Sequence, residues 1–399
     1  MPSPIVQAAY PFVTVRIDAS GLAGAAVRSP GVVAVVGLAD AAAAAAVNTP
    51  VEVTDHDSIL AAFANGTTPN ALTQSLDLVL AQDPQPSKVY GVRTSDDTDY
   101  AAALSGLEAA DDVTFVCLAH EFAVGAASTA NKDATFLMAL KEHVETMSAA
   151  GHKRMAVAAV DPTIAKSLTY AADVVAVNSY GKLVSGDGRM ILVAGRGATT
   201  DPADATATAD PAASGAGAIA GYSPSTSIVL KQVRGFTMPV TSQYTPAEIS
   251  DLAGQGIVPL IDPALISGSG LYFADGGTFS SDNTRNYVDI VRVLDDIEFR
   301  LRAGLIGSIG DSRITKPGLT TIRVRIEGIL GPLQQAAVID DYAVSIPLLD
   351  ILSLPESARS AGDDALVETA RNTRQVPLTV TVTYGPAVHR LDVTLVPKF

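Results

Sequence analysis

Three glycines, Gly215, Gly217 and Gly221, stand in the stretch "ASGAGAIAGY" at what reads as a helix start. Glycines so placed let a backbone wrap a phosphate, with helix N–H groups turned toward the anion. A dinucleotide site needs more. It requires a strand immediately before the first glycine and an acidic residue about twenty positions on to hold a ribose. The residues before Gly215 are "TATADPAAS", a loop, and the segment beyond is "VRGFTMPVTSQ", which has no acid. The spacing therefore favours a short helix whose small side chains allow close backbone approach. A nucleotide-binding α/β enzyme using Gly215 to Gly221 is the alternative.

No other group of residues builds a reaction centre. His120-Glu121 begins a zincin-like pair, but position 124 is Val, so the second histidine is missing. Ser223 and Ser269 lack the flanks of a nucleophile elbow, and no Walker A sequence occurs. The Asp-rich pieces "SDDTDY" and "VSGDGRM" lack calcium-loop spacing and read as solvated turns. His56, His120, His143, His152 and His389 are scattered, and His143 is predicted to face solvent from a helix. Cys117 is the single cysteine, which excludes an intrachain disulfide and a cysteine zinc site. It lies in the apolar run "VTFVCLAH" and reads as a buried small hydrophobe. No catalytic residue, cofactor or metal ligand is expected.

The 399 residues suffice for two or three domains. Apolar residues make up 48% and charged residues 17%, so a large core is expected and much of the surface is expected to be covered by other chains. The net charge of −15 argues against nucleic acid and against an anionic membrane as partners. No targeting or membrane-spanning segment is legible, and the expectation is a soluble chain made in the cytoplasm.

Residues 1–28 read as an extended N-terminal arm, because Pro2, Pro4 and Pro11 oppose a helix. Within it "FVTVRID" alternates as a strand, with Val13, Val15 and Ile17 on one face and no hairpin partner nearby. Residues 29–197 alternate strand and helix patterns, which predicts an α/β domain with a mostly parallel sheet. Here "GVVAVVGLA", "KVYGVRT", "VTFVCLAH", "RMAVAAVD", "VVAVNSYG" and "RMILVAGR" read as strands, and "PTIAKSLTYAA" as a helix beginning at Pro162. Residues 198–214 form a polar loop, the clearest change of composition.

Residues 215–375 read as a second, α+β domain. Thr245 and Glu248 form a capping box for the helix "TPAEISDLAGQG". The strongest helix is "RNYVDIVRVLDDIEFRLRAG", with an apolar stripe through Ile290, Leu294, Ile297 and Leu301. Its other face carries the favourable pairs Asp296 with Arg300 and Glu298 with Arg302. Residues 376–399 read as a hairpin turning at Gly385-Pro386, with Val380 and Val382 on one strand and Leu391, Val393 and Leu395 on the other.

The order of motifs in the later chain resembles the sheath proteins of contractile phage tails and related contractile injection systems. The segments carrying the likeness are "AASGAGAIAGY", "YTPAEISDLAGQGIVPL" and "GTFSSDNTRNYVDIVRVLDDIE", the last with Thr284, Tyr287, Val288 and Arg292 in the family's positions. The likeness covers most of the chain and is best over 213–345. The tryptophan often found before the long helix is absent, and Tyr272 and Phe273 stand there. The resemblance implies a non-enzymatic subunit that polymerises as stacked hexameric rings around an inner tube and contracts to drive it through an envelope, with no cofactor. It implies further copies of itself, the tube protein, baseplate proteins and a tail terminator as partners. It also implies strand exchange between copies, for which Phe12, Val13, Val15, Ile17, Val380, Val382, Leu391, Val393 and Leu395 are the candidates. Arg292, Asp296, Arg300 and Arg302 are candidates for contact with the tube or a neighbour. A non-contractile shell or tail protein is a further alternative.

Overall fold

The computed structural model describes residues 29, 31–66, 68–96, 99–122, 136–201, 207–267 and 270–389. The expected N-terminal strand with Phe12, Val13, Val15 and Ile17, and the return strand with Leu391, Val393 and Leu395, lie outside these residues.

A nine-stranded mixed sheet organises the larger part of the chain. Inside it lies β1 (Val32–Gly37), an uninterrupted apolar run that is buried on both faces, as an interior parallel strand requires. The antiparallel edge strand β2 (Pro50–Val53) leads to the helices α1 (His56–Phe63) and α2 (Ala71–Leu80). Strand β3 (Lys88–Arg93) pairs parallel to β1 and antiparallel to β2. After α3 (Tyr100–Gly106), β4 (Phe115–Leu118) pairs on the other side of β1. After α4 (Phe136–Ala149), β5 (Met155–Val160) joins β4 in parallel. After α5 (Tyr170–Ala176), β6 (Met190–Ala194) joins β5.

The sheet continues past the polar loop. Helix α6 (Pro211–Gly221) packs on α2 and on the sheet, followed by β7 (Gln232–Val233) and α7 (Pro246–Gly254). Strand β8 (Ile257–Ile261) lies parallel to β6, and β9 (Leu271–Phe273) turns back antiparallel, with β7 at the far edge. The strand order is β2-β3-β1-β4-β5-β6-β8-β9-β7. A domain seam at 198–214 is therefore corrected: one sheet and one core, from Val32 to Val291, run across those residues.

The change of architecture falls within the long helix α8 (Val288–Ile306) instead. Its first residues, Val288 and Val291, belong to the main core. Val293 and Ile297 belong to a second cluster with Ile326, Leu330 and Leu333 of α9 (Lys316–Gln335). Strand β10 (Asp341–Ser345), α10 (Pro347–Ser353), α11 (Ala361–Thr373) and β11 (Thr379–Thr383) complete this smaller part.

Two local expectations are corrected. Residues 162–169 are not helical: the Asp161 carboxylate accepts from the Thr163 N–H and hydroxyl, and α5 begins at Tyr170. That local turn satisfies the backbone around Pro162 as a helix start would otherwise do. The run "VVAVNSYG" is not a strand: its first three residues end α5, and its last two begin a short 3₁₀ turn at Tyr180–Leu183. Strand β11 pairs antiparallel with β10, Val380 opposite Val344 and Val382 opposite Tyr342. The return strand expected beyond Gly385-Pro386 lies outside the described residues.

Candidate assembly interface

The glycines that could have held a phosphate are inside the protein. Every residue of α6 from Pro211 to Ala220 is buried. A Cβ on Gly217 would lie 2.8 Å from the Val79 carbonyl oxygen, and one on Gly221 would collide with the Pro84 carbonyl oxygen. The helix N-terminus is already occupied. The buried Asp210 carboxylate accepts from the Ala212 and Ala213 N–H groups at 3.0 and 3.2 Å. Its second oxygen accepts from the Ser75 hydroxyl at 2.7 Å and the His120 N–H at 3.1 Å. A fixed carboxylate where a phosphate would sit repels one. The glycines serve close packing of α6 against α2 and the segment after it.

The remaining polar candidates are structural. Cys117 is fully buried in β4, and burial pushes its thiol pKa up. His143 does not face solvent, as its helix position suggested. It is buried on α4 beside α3, where its Nε2 accepts from Nη1 of the fully buried Arg154 at 2.9 Å. Arg154 also donates to the carbonyls of Leu107 and Ala110. Burial, then the adjacent guanidinium, pushes the His143 pKa down to about 4. Among the described residues no cluster of three His, Cys, Asp or Glu side chains is placed to hold a metal, and no helix is long and apolar enough to cross a membrane.

The charged face of α8 is split between two environments. Arg292 is a correction: it is 5% exposed and points inward, donating to the carbonyls of Tyr222 at 2.6 Å and Ser223 at 3.2 Å over the Phe115 ring. Burial holds its pKa down to about 10. Such a group is not available to a tube or neighbour. Asp296 and Arg300 form a partly buried pair at 2.7 Å, and Arg302, largely exposed, bonds Glu298 at 2.6 Å. Sequence patterning missed two contacts that fix the helix to the sheet: Arg189 with Asp295, and Lys153 with Glu298 at 3.1 Å. Both partners precede strands, so only the fold brings them to α8.

The strongest unfilled feature is the small sheet. Strands β10 and β11 form a two-stranded ladder, and among the described residues neither has a second neighbour. Alternation turns Tyr342, Val344, Val380 and Val382 inward toward α8 and α9, while Ala343, Thr379 and Thr381 point outward. An isolated two-stranded ribbon is marginally stable, and its outer edges offer unpaired backbone donors and acceptors. Beside β11 lies an apolar groove of about 630 Å³ between that strand and α8, lined by Leu294, Leu301, Leu305, Ile309, Leu378 and Val380 among others. Val380 and Val382, expected at an exchange site, thus line this groove together.

No protein-family model and no curated protein matches the sequence. Solved structures do match in fold. The contracted helical sheath of the anti-feeding prophage aligns over 99% of this chain and 99% of its own, at 14% identity and a TM-score of 0.66. The contracted sheath of the extracellular contractile injection system PVC aligns over 98% of both chains, at 14% identity and a TM-score of 0.66. The sheath tail protein of Listeria innocua aligns over 82% of this chain and 91% of its own, at 15% identity and a TM-score of 0.54. These likenesses run through both the large sheet and the smaller part, and the chain has the fold of contractile sheath proteins.

Proposed function

We propose that this chain is the structural subunit of a contractile sheath, polymerising as stacked hexameric rings around an inner tube and contracting to drive it through a target envelope. The observation that carries this reading is the small sheet, two-stranded among the described residues, beside an apolar groove, in a chain with the sheath fold over nearly its whole length. The N-terminal strand pattern with Phe12, Val13, Val15 and Ile17, and the C-terminal pattern with Leu391, Val393 and Leu395, are the segments offered to it by neighbouring copies. An added strand supplies backbone hydrogen bonds along a whole edge, and its alternate apolar side chains enter the groove. Copies joined in this way can rotate without separating. Contraction is then relaxation to a lattice that buries more surface, and it requires no cofactor and no catalytic residue.

The tube-facing or neighbour-facing charge lies at the α8–α9 end. Arg313 and Lys316 are exposed there, while Arg300, Arg302 and Arg323 are paired with Asp296, Glu298 and Glu327, on a protein of net charge −15. Baseplate and terminator proteins would cap the stack, which assembles in the producing cell's cytoplasm. Negative-stain microscopy of the expressed chain, alone and with its tube protein, is expected to show hollow cylinders. Deletion of residues 1–20 is expected to abolish them while leaving a folded monomer. A strictly monomeric product at high concentration would overturn the sheath reading, and a single lattice length under all conditions would favour a non-contractile shell or tail protein.

A further inference from the structure

The segment after β11 is tied back to the body of its own subunit. The Tyr384 hydroxyl donates to the Asp289 carboxylate at 2.6 Å, in the first turn of α8. Five residues on, His389 Nε2 is hydrogen-bonded to the Ser227 hydroxyl at 2.8 Å. Its ring stands edge-on to Tyr287, with centroids 4.8 Å apart and an interplanar angle of 82°. The ring also packs over Gly276, where a Cβ would come within 3.5 Å of its Cε1. Asp289 is 3% exposed, so the first of these bonds reaches a buried carboxylate rather than the surface. Ser227, Gly276 and Tyr287 all belong to the part of the chain organised by the large sheet.

We infer that Tyr384 and His389 form a strap fastening the C-terminal arm to its own main body, so that tension applied to that arm by a second copy is delivered to α8 and the large sheet. The mechanical reason lies in the geometry of β11. Its ladder to β10 is five residues long. A pull across the free end of such a strand, in the direction of its hydrogen bonds, opens them one after another, and a pull along it loads only these few bonds in shear. Anchors at Tyr384 and His389 take the load before it reaches the ladder. Both are positioning residues. This inference rests on the proposed strand exchange between copies.

The test compares four proteins by microscopy and thermal melting: the wild type, S227A/H389A, S227C/H389C closed with a short bis-maleimide, and a chain lacking residues 390–399. Cys117 is buried and stays out of the cross-linking reaction. S227A/H389A is expected to keep the monomer melting temperature while the protein recovered in intact cylinders falls at least about tenfold. The cross-linked variant is expected to match the wild type. Equal yields of cylinders from S227A/H389A and the wild type would overturn the strap, as would loss of cylinders on cross-linking. If the wild type forms no cylinders, the sheath reading falls and the strap with it. If only the deletion abolishes cylinders, strand exchange stands and the strap alone is wrong.

Discussion

Arg189 and Asp295 are joined by two hydrogen bonds, Nη1 to Oδ2 at 2.5 Å and Nη2 to Oδ1 at 2.9 Å, across the gap between the start of β6 and the middle of α8. Arg189 is 4% exposed. Burial, with a smaller contribution from the nearby Glu298 carboxylate, raises the Asp295 pKa above its ordinary value, and the two bonds from Arg189 offset that rise only in part. Removing Asp295 leaves the buried Arg189 guanidinium with the more distant Asp187, at 3.5 Å, as its remaining acidic partner. Asp295→Ala is expected to destabilise the chain by about 3–5 kcal/mol, measured by urea unfolding. A loss below about 1 kcal/mol would place this pair with ordinary surface ion pairs.

Acid is expected to act through His143. Its pKa is about 4 in the fold against 6.5 as the ordinary value, so folding favours the neutral ring. The contribution is fully present above pH 6.5 and is lost as the pH falls toward 4. The difference amounts to roughly 3 kcal/mol over that interval. His143→Gln retains an acceptor for Arg154 and cannot charge. Urea midpoints at pH 7 and pH 4.5 should differ less for the variant than for the wild type, and an equal drop in both would exclude His143 as the cause.

The buried glycines give a test with an unusual sign. Replacing a helical glycine by alanine ordinarily gains about 1 kcal/mol. At Gly217 the new methyl meets the Val79 backbone, which belongs to another packed helix and has little freedom to retreat. Overpacking costs of about 1–3 kcal/mol should outweigh the propensity gain, so Gly217→Ala is expected to lower the melting temperature. A thermal-shift screen with NAD(P) and ATP is expected to move neither protein, and a clear shift of the wild type would revive the nucleotide reading.

Leu294 separates folding from assembly. It is 40% exposed and lines the groove beside β11, so a charge there has water within reach in the monomer. Leu294→Lys should leave the melting temperature within the range of surface substitutions, about 0.5 kcal/mol in stability. The concentration needed for cylinders to form should rise at least about tenfold, since an added strand would bury the ammonium group. Unchanged assembly would remove the groove from the interface.

The parallel strands were legible because burial on both faces leaves an unbroken apolar run, as in "GVVAVVG" and "RMAVAAV". Helix α7 was legible because Thr245 and Glu248 cap it reciprocally, as observed. Arg292 was misread because a single apolar stripe was taken to mean one buried face. Helix α8 is covered on two sides, by the large sheet through Val291 and Arg292 and by α9 through Val293 and Ile297. His143 was misread because its partner, Arg154, precedes a strand eleven residues away and only the fold brings the two together. Helix α11 left little apolar signal, since only Val367 and Ala370 are buried along it. The groove itself required β10 and β11 to pair across 34 residues, which no local pattern announces.

Helix α8 has one more consequence. From Val288 to Ala303 it contains neither glycine nor proline, and it is bonded to the large sheet at one flank and to α9 at the other. Such a helix is a stiff shaft with no hinge between its two bearings. In the proposed sheath, α8 would then carry rotation from the large sheet to the smaller part without bending, and the compliance would reside in the connections between copies.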